Sequence, residues 1–109
     1  MAKVLLIGSD EQRATALARV MEQQQHFVTV CAERRPALEE LKANGGGFDV
    51  VILDLSADRR EDWRVLDQIC GRVAVKTSAP AILCYSLVYR GPRMRLEAER
   101  RGARFIYER

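Results

Sequence analysis

Three short, almost wholly apolar runs constrain this chain more than any other feature: Val4-Leu5-Leu6-Ile7, Val50-Val51-Ile52-Leu53 and Ala81-Ile82-Leu83-Cys84-Tyr85. A strand with one wet face alternates apolar and polar residues. A strand apolar throughout needs cover on both faces, the condition of a parallel sheet between layers of helices. The segments between these runs have helical spacing. Ser9 followed by Gln12 makes a capping-box start, and Ala14, Leu17, Ala18 and Met21 then recur on one face, predicting a first helix to about Gln25. Phe27 to Cys31 has β composition, Pro36 suits the first turn of a helix carrying Leu38 and Leu41, and Gly45-Gly46-Gly47 stops it. Leu66, Ile69, Cys70 and Val73 mark a third helix after the polar stretch from Ser56 to Asp62. Pro80 precedes the strand at Ala81, Gly91-Pro92 opens a basic helix around Met94 to Arg101, and Phe105-Ile106-Tyr107 forms a last strand. The order is (βα)4β, and crossovers of helix length imply parallel strands.

At 109 residues the chain is one domain, 1–109, with one core and no room for a second catalytic or DNA-binding module. Apolar residues at 48% and charged residues at 30% give the balance of a globular protein, not of a disordered or membrane chain. No apolar run approaches the roughly 20 residues that cross a bilayer. The opening Met1-Ala2-Lys3-Val4 runs straight into a strand instead of a signal peptide, so a cytoplasmic location without membrane attachment is expected. Cys31, Cys70 and Cys84 are odd in number, lie in apolar stretches and form no C-x-x-C pair, which reads as reduced core thiols. Lone His26 has no acidic or cysteine partner at useful spacing, so a surface or capping role is expected of it.

The net charge of +3 conceals an asymmetry: residues 1–55 carry 6 Lys and Arg against 8 Asp and Glu, while residues 56–109 carry 12 against 7. Arg90, Arg93, Arg95, Arg100, Arg101, Arg104 and Arg109 supply much of the excess and could attract an acidic partner. No aromatic interleaving or nucleic-acid motif accompanies them, so they read as a solvated helix face and nucleic acid is not expected as a partner.

In an open α/β sheet, ligands and reactive groups collect at the carboxyl ends of the strands. The candidates are therefore Gly8, Ser9 and Asp10 after the first strand, Asp54 to Asp58 after the third, Tyr85 and Ser86 at the fourth, and Glu108 and Arg109 after the fifth. A nucleotide- or flavin-binding enzyme on such a sheet would carry a glycine-rich turn or a P-loop, and Gly8 stands alone. No catalytic constellation appears.

Phe48-Asp49-Val50-Val51-Ile52-Leu53-Asp54-Leu55 resembles the third strand of response-regulator receiver domains of the chemotaxis-regulator type, ending in their phosphoacceptor aspartate. Leu96-Glu97-Ala98 and Gly102-Ala103 resemble the same family's helix four and its turn into strand five. The resemblance implies a flavodoxin-like three-layer α/β/α sandwich with a five-stranded parallel sheet of order 2-1-3-4-5. It implies a phosphoacceptor position at Asp54, a Mg2+ ion held by an acidic pair together with that aspartate, a Ser or Thr hydroxyl on strand four and a lysine on strand five.

The chain departs from that pattern at each supporting position. The acidic pair falls on Gly8 and Ser9, leaving Asp10 as the nearby carboxylate, so that Asp10 and Asp54 alone would hold Mg2+ weakly. Asp10 is otherwise a first-turn helix acid. The strand-four hydroxyl position is Tyr85, or Ser86 if one residue bulges out. The strand-five cation maps onto Arg109, or onto Glu108 in the alternative register. In the following loop Asp58 stands where proline is frequent, and Trp63 at a helix start is expected to pack over the loop.

The expectation is a degenerate receiver that binds a signalling partner without phosphorylation, through its basic helix-four to strand-five side. The alternative is a working receiver that takes a phosphoryl group on Asp54 from a histidine kinase. Family members end in a fifth helix, for which no residues remain after Arg109. Either the sequence is a piece of a longer protein, or the apolar face left open is covered by a homodimer or another association.

Overall fold

The computed structural model describes residues 2–43, 47–56, 60–73, 80–86 and 91–107. The elements are β1 (Lys3–Ile7), α1 (Glu11–Gln23), β2 (Phe27–Cys31), α2 (Arg34–Ala43), β3 (Val50–Asp54), α3 (Arg60–Val73), β4 (Ala81–Ser86), α4 (Pro92–Arg100) and β5 (Arg104–Tyr107). All strand pairs are parallel, in the order β2-β1-β3-β4-β5. This is the flavodoxin-like α/β sheet and strand order implied by the receiver resemblance. No described helix is long and apolar enough to cross a membrane.

Val4 to Ile7 is buried throughout, whereas Val50, Ile52, Leu83 and Tyr85 are half-buried and Ala81 is exposed, because the two faces of the sheet are covered unequally. Side chains alternate along a strand. Leu5, Ile7, Val51, Leu53, Ile82 and Cys84 form the larger core with Ala37 and Leu41 of α2, Leu66 and Ile69 of α3, and Met94 and Ala98 of α4. On the opposite face Leu6 meets Ala14 and Ala18 of α1, with Leu17, Met21, Ile52 and Tyr85 packed alongside. Farther along that face Ile106 remains 50% exposed.

Helix boundaries differ from the sequence reading for local reasons. The N-cap of α1 is Asp10 and not Ser9, because the Asp10 carboxylate accepts the Arg13 backbone N–H at 3.0 Å. The helix ends at Gln23, and Gln25 takes a left-handed φ of 68°. The N–H groups of Gln25 and His26 donate back to the carbonyls of Glu22 and Met21, a Schellman closure. The end of α4 repeats it: Gly102 at φ 100° and Ala103 donate to the carbonyls of Glu99 and Ala98. His26 has the capping role: its Nδ1 accepts the Ala2 backbone N–H at 2.9 Å. Cys31 and Cys84 are buried, Cys70 is half-buried, and all three are free thiols.

Candidate functional site

The ladder sets the register at the carboxyl ends of the strands. Asp54, the last residue of β3, lies opposite Tyr85 of β4, and the Leu55 N–H donates to the Tyr85 carbonyl at 2.8 Å. Ser86 continues the same ladder opposite Tyr107 with no extra residue, so the bulge that would have presented its hydroxyl beside Asp54 does not form. By strand alternation Ser86 falls on the other face, with Ile82 and Cys84, where it is buried. Glu108, Arg109 and Asp58 lie outside the described residues, as do Gly45, Gly46 and Arg90.

The Asp54 side chain is only 4% exposed. Burying an ionised carboxylate is costly unless its oxygens are satisfied. Here they are. Oδ1 accepts the Ser56 backbone N–H at 2.7 Å, an Asx-type turn, and Oδ2 accepts the Arg13 Nε–H at 2.9 Å. The Arg13 guanidinium also places Nη1 3.6 Å from Oδ2 of Asp10. Burial works against its charge, but the hydrogen bond to Asp54 and the charges of Asp54 and Asp10 hold the Arg13 pKa above its ordinary value. Asp10 thus faces Arg13 twice, through the backbone N–H and through the guanidinium.

Tyr85 completes the group. Burial first, then the Asp54 charge and a hydrogen bond to Asp54, push its phenol up from 10.0 to about 12, while Arg13 acts the other way. Cys84, beside it in β4, is pushed from 9.0 to about 12, mainly by burial. For both groups the folded pKa exceeds the unfolded one, so their contribution to stability is complete below the unfolded pKa and is lost as pH rises toward the folded value. Urea midpoints are therefore expected to fall between pH 9 and about 12, with a shallower fall in Cys84→Ala and in Tyr85→Phe. Identical pH slopes in all three proteins would contradict this assignment.

A cleft of about 490 Å³ opens above these strand ends, lined by Gly8, Ser9, Glu33, Arg35, Asp54, Glu61 and Asp62 among others. Among the described lining residues Glu33, Glu61 and Asp62 outnumber Arg35, while the Asp54 charge is met by Arg13, a balance unfavourable to phosphorylated anions. The site does not fit a divalent cation. Mg2+ asks for oxygen ligands in near-octahedral geometry. The pair positions offer Gly8 and Ser9, and Asp10 and Asp54 already face a guanidinium. Among the described residues no group of three or more His, Cys, Asp or Glu is placed to hold a metal. The glycine also packs too closely to be replaced without adjustment: a Cβ on Gly8 would lie 3.3 Å from the Asp54 Cβ.

Arg13 is the residue that the sequence analysis missed. One signal was available. A cation in the first turn of a helix opposes the helix dipole, which favours anions there, so Arg13 at that place calls for a carboxylate partner. Trp63 packs against the main core, and the Arg101 guanidinium lies over its ring at 5.1 Å. Arg101 Nε donates to Asp67 of α3 at 2.6 Å, and its Nη1 donates to the carbonyl and the carboxylate of Glu97 of α4, each at 2.9 Å. This clasp ties α4 to α3.

No family model matches the sequence, and no curated protein matches it either. The fold is similar to that of several solved receiver domains. Chemotaxis protein CheY4 of Vibrio cholerae is 20% identical over 99% of this chain and 85% of its own, with a TM-score of 0.79. A response regulator receiver domain protein from Clostridium thermocellum is 19% identical over 99% of this chain and 82% of its own, with a TM-score of 0.80. A chain of the CheX-CheY complex with beryllofluoride and Mg2+ from Borrelia burgdorferi is 15% identical over 99% of this chain and 78% of its own, with a TM-score of 0.82. At these identities the likeness is one of fold.

Proposed function

We propose that this chain is a degenerate receiver domain of two-component-type signal transduction: a non-enzymatic, cytoplasmic protein-interaction module that works without phosphorylation of Asp54. The observation that carries the reading is the internal satisfaction of the Asp54 carboxylate by Arg13 and Ser56. A carboxylate attacks a phosphoryl group only when the repulsion between the two anions is neutralised, and here the cation bonded to it among the described residues is a side chain, Arg13. A phosphoacceptor needs a free oxygen; here each oxygen already accepts a hydrogen bond, from Arg13 or from Ser56.

The partner-binding surface in this reading is the α4–β5 side, where Arg93, Arg100 and Arg104 are exposed and where the Arg101 clasp holds α4 in place. Such a surface suits a signalling protein with an acidic face. The reading also includes self-association through the apolar groove of about 350 Å³ between α1 and β5, lined by Leu17, Ile52, Leu83 and Ile106 among others. Light scattering should then show a mass that rises with concentration, whereas a constant monomer mass would remove this part of the reading.

The phosphorylation claim is tested by intact-mass measurement after incubation with acetyl phosphate and Mg2+. No added phosphoryl group is expected. A saturable mass gain abolished by Asp54→Asn would instead establish a working receiver, served by a histidine kinase.

A further inference from the structure

Asp10 and Asp54 come from different elements, and one side chain reaches both. Arg13 Nε–H donates to Asp54 Oδ2 at 2.9 Å, while Nη1 lies 3.6 Å from Asp10 Oδ2. Its backbone N–H, 3.0 Å from Asp10 Oδ1, fixes the start of α1 and so anchors the side chain that crosses to β3. We propose that Arg13 is a tethered replacement for a divalent cation: its guanidinium occupies the place between Asp10 and Asp54 that an ion would need, and excludes it.

Three physical arguments support this. The guanidinium carries a permanent charge at any physiological pH and presents its donors in a rigid plane that matches carboxylate oxygens. Being covalently attached to α1, it competes with a free ion at a high effective concentration. An incoming ion would have to displace it and would then meet no group of three or more His, Cys, Asp or Glu placed to hold it among the described residues, since Gly8 and Ser9 contribute no acidic side chain. The neutralisation that an ion would supply reversibly is therefore built in, and the state of the site does not vary with metal or phosphodonor. The inference deepens the degenerate-receiver reading and rests on it.

The test is a Mg2+ titration followed by amide chemical shifts in wild type, Arg13→Lys and Arg13→Gln. Wild type is expected to show no saturable shifts at Gly8, Leu55 or Ser56 at millimolar Mg2+, and Arg13→Lys, which keeps a cation, should stay equally silent. Arg13→Gln should acquire saturable shifts at those residues, lost again in Arg13→Gln/Asp54→Asn. Saturable binding by wild type, or silence of a folded Arg13→Gln, would overturn the proposal. If Arg13→Gln does not fold, the Arg13 Nε–H resonance of wild type decides. It should be protected from exchange and lose that protection in Asp54→Asn; fast exchange in both would overturn the proposal. Failure of the underlying reading looks different: wild type would gain a phosphoryl mass, whereas a silent Arg13→Gln with unphosphorylated wild type sinks this inference alone.

Discussion

Arg13→Ala is expected to lower the unfolding free energy by about 2 kcal/mol, and adding Asp54→Asn is expected to restore much of the loss. Removing the guanidinium leaves a carboxylate 4% exposed, with the Ser56 N–H and the Tyr85 phenol beside it but no cation in hydrogen-bond contact among the described residues. Deleting one member of a buried ion pair usually costs about 3–5 kcal/mol, because the other charge stays desolvated. The lower figure applies here because Arg13 is 31% exposed, so water can reach the vacated place. An amide at position 54 carries no charge to strand, and it can still accept the Ser56 N–H. Urea unfolding of the two single variants and the double variant closes the cycle. The prediction is a double variant more stable than Arg13→Ala alone. Additive losses would mean that the pair contributes nothing specific.

Leu66→Ala should cost about 3 kcal/mol, whereas Leu17→Ala should cost about 1 kcal/mol or less. Leu66 is fully buried in the large cluster between α3 and the sheet, so its loss leaves a cavity that the close-packed surroundings cannot fill. Leu17 is half-buried on α1, beside the smaller cluster of Leu6, Ala14 and Ala18. The contrast follows from the unequal cover of the two faces: α2, α3 and α4 pack on one side, and α1 packs on the other. Equal losses at the two sites would mean that the open groove beside Ile106 closes in solution. Thermal or urea unfolding of both variants distinguishes these outcomes.

The fold was legible because burial on both faces leaves a local trace. Val4 to Ile7 and Val50 to Leu53 are apolar without alternation, and both lie in the interior of the parallel sheet. Asp54 was legible for the complementary reason: a carboxylate directly after such a run must find partners or be expelled. The partner itself left no comparable trace. Arg13 lies 41 residues from Asp54, and pairing across that separation depends on how α1 crosses the sheet, which no local periodicity records. The displaced cap is a smaller case of the same limit. Ser9 and Asp10 both suit an N-cap, and the choice falls to the residue whose oxygen reaches the Arg13 N–H. The bulge invoked for Ser86 failed because β4 is paired on both sides, to β3 and β5, in unbroken register. An inserted residue would have disrupted two ladders at once.

In this reading the Asp54 carboxylate is closed to phosphoryl chemistry by its own arginine. The most direct measurement is an amide-shift titration of the wild-type protein with beryllofluoride and Mg2+, which together mimic an acyl phosphate on an aspartate. No saturable change is expected at Leu55, Ser56 or Tyr85. Saturable shifts at these residues, absent in Asp54→Asn, would contradict it and show that Arg13 yields its place to an ion.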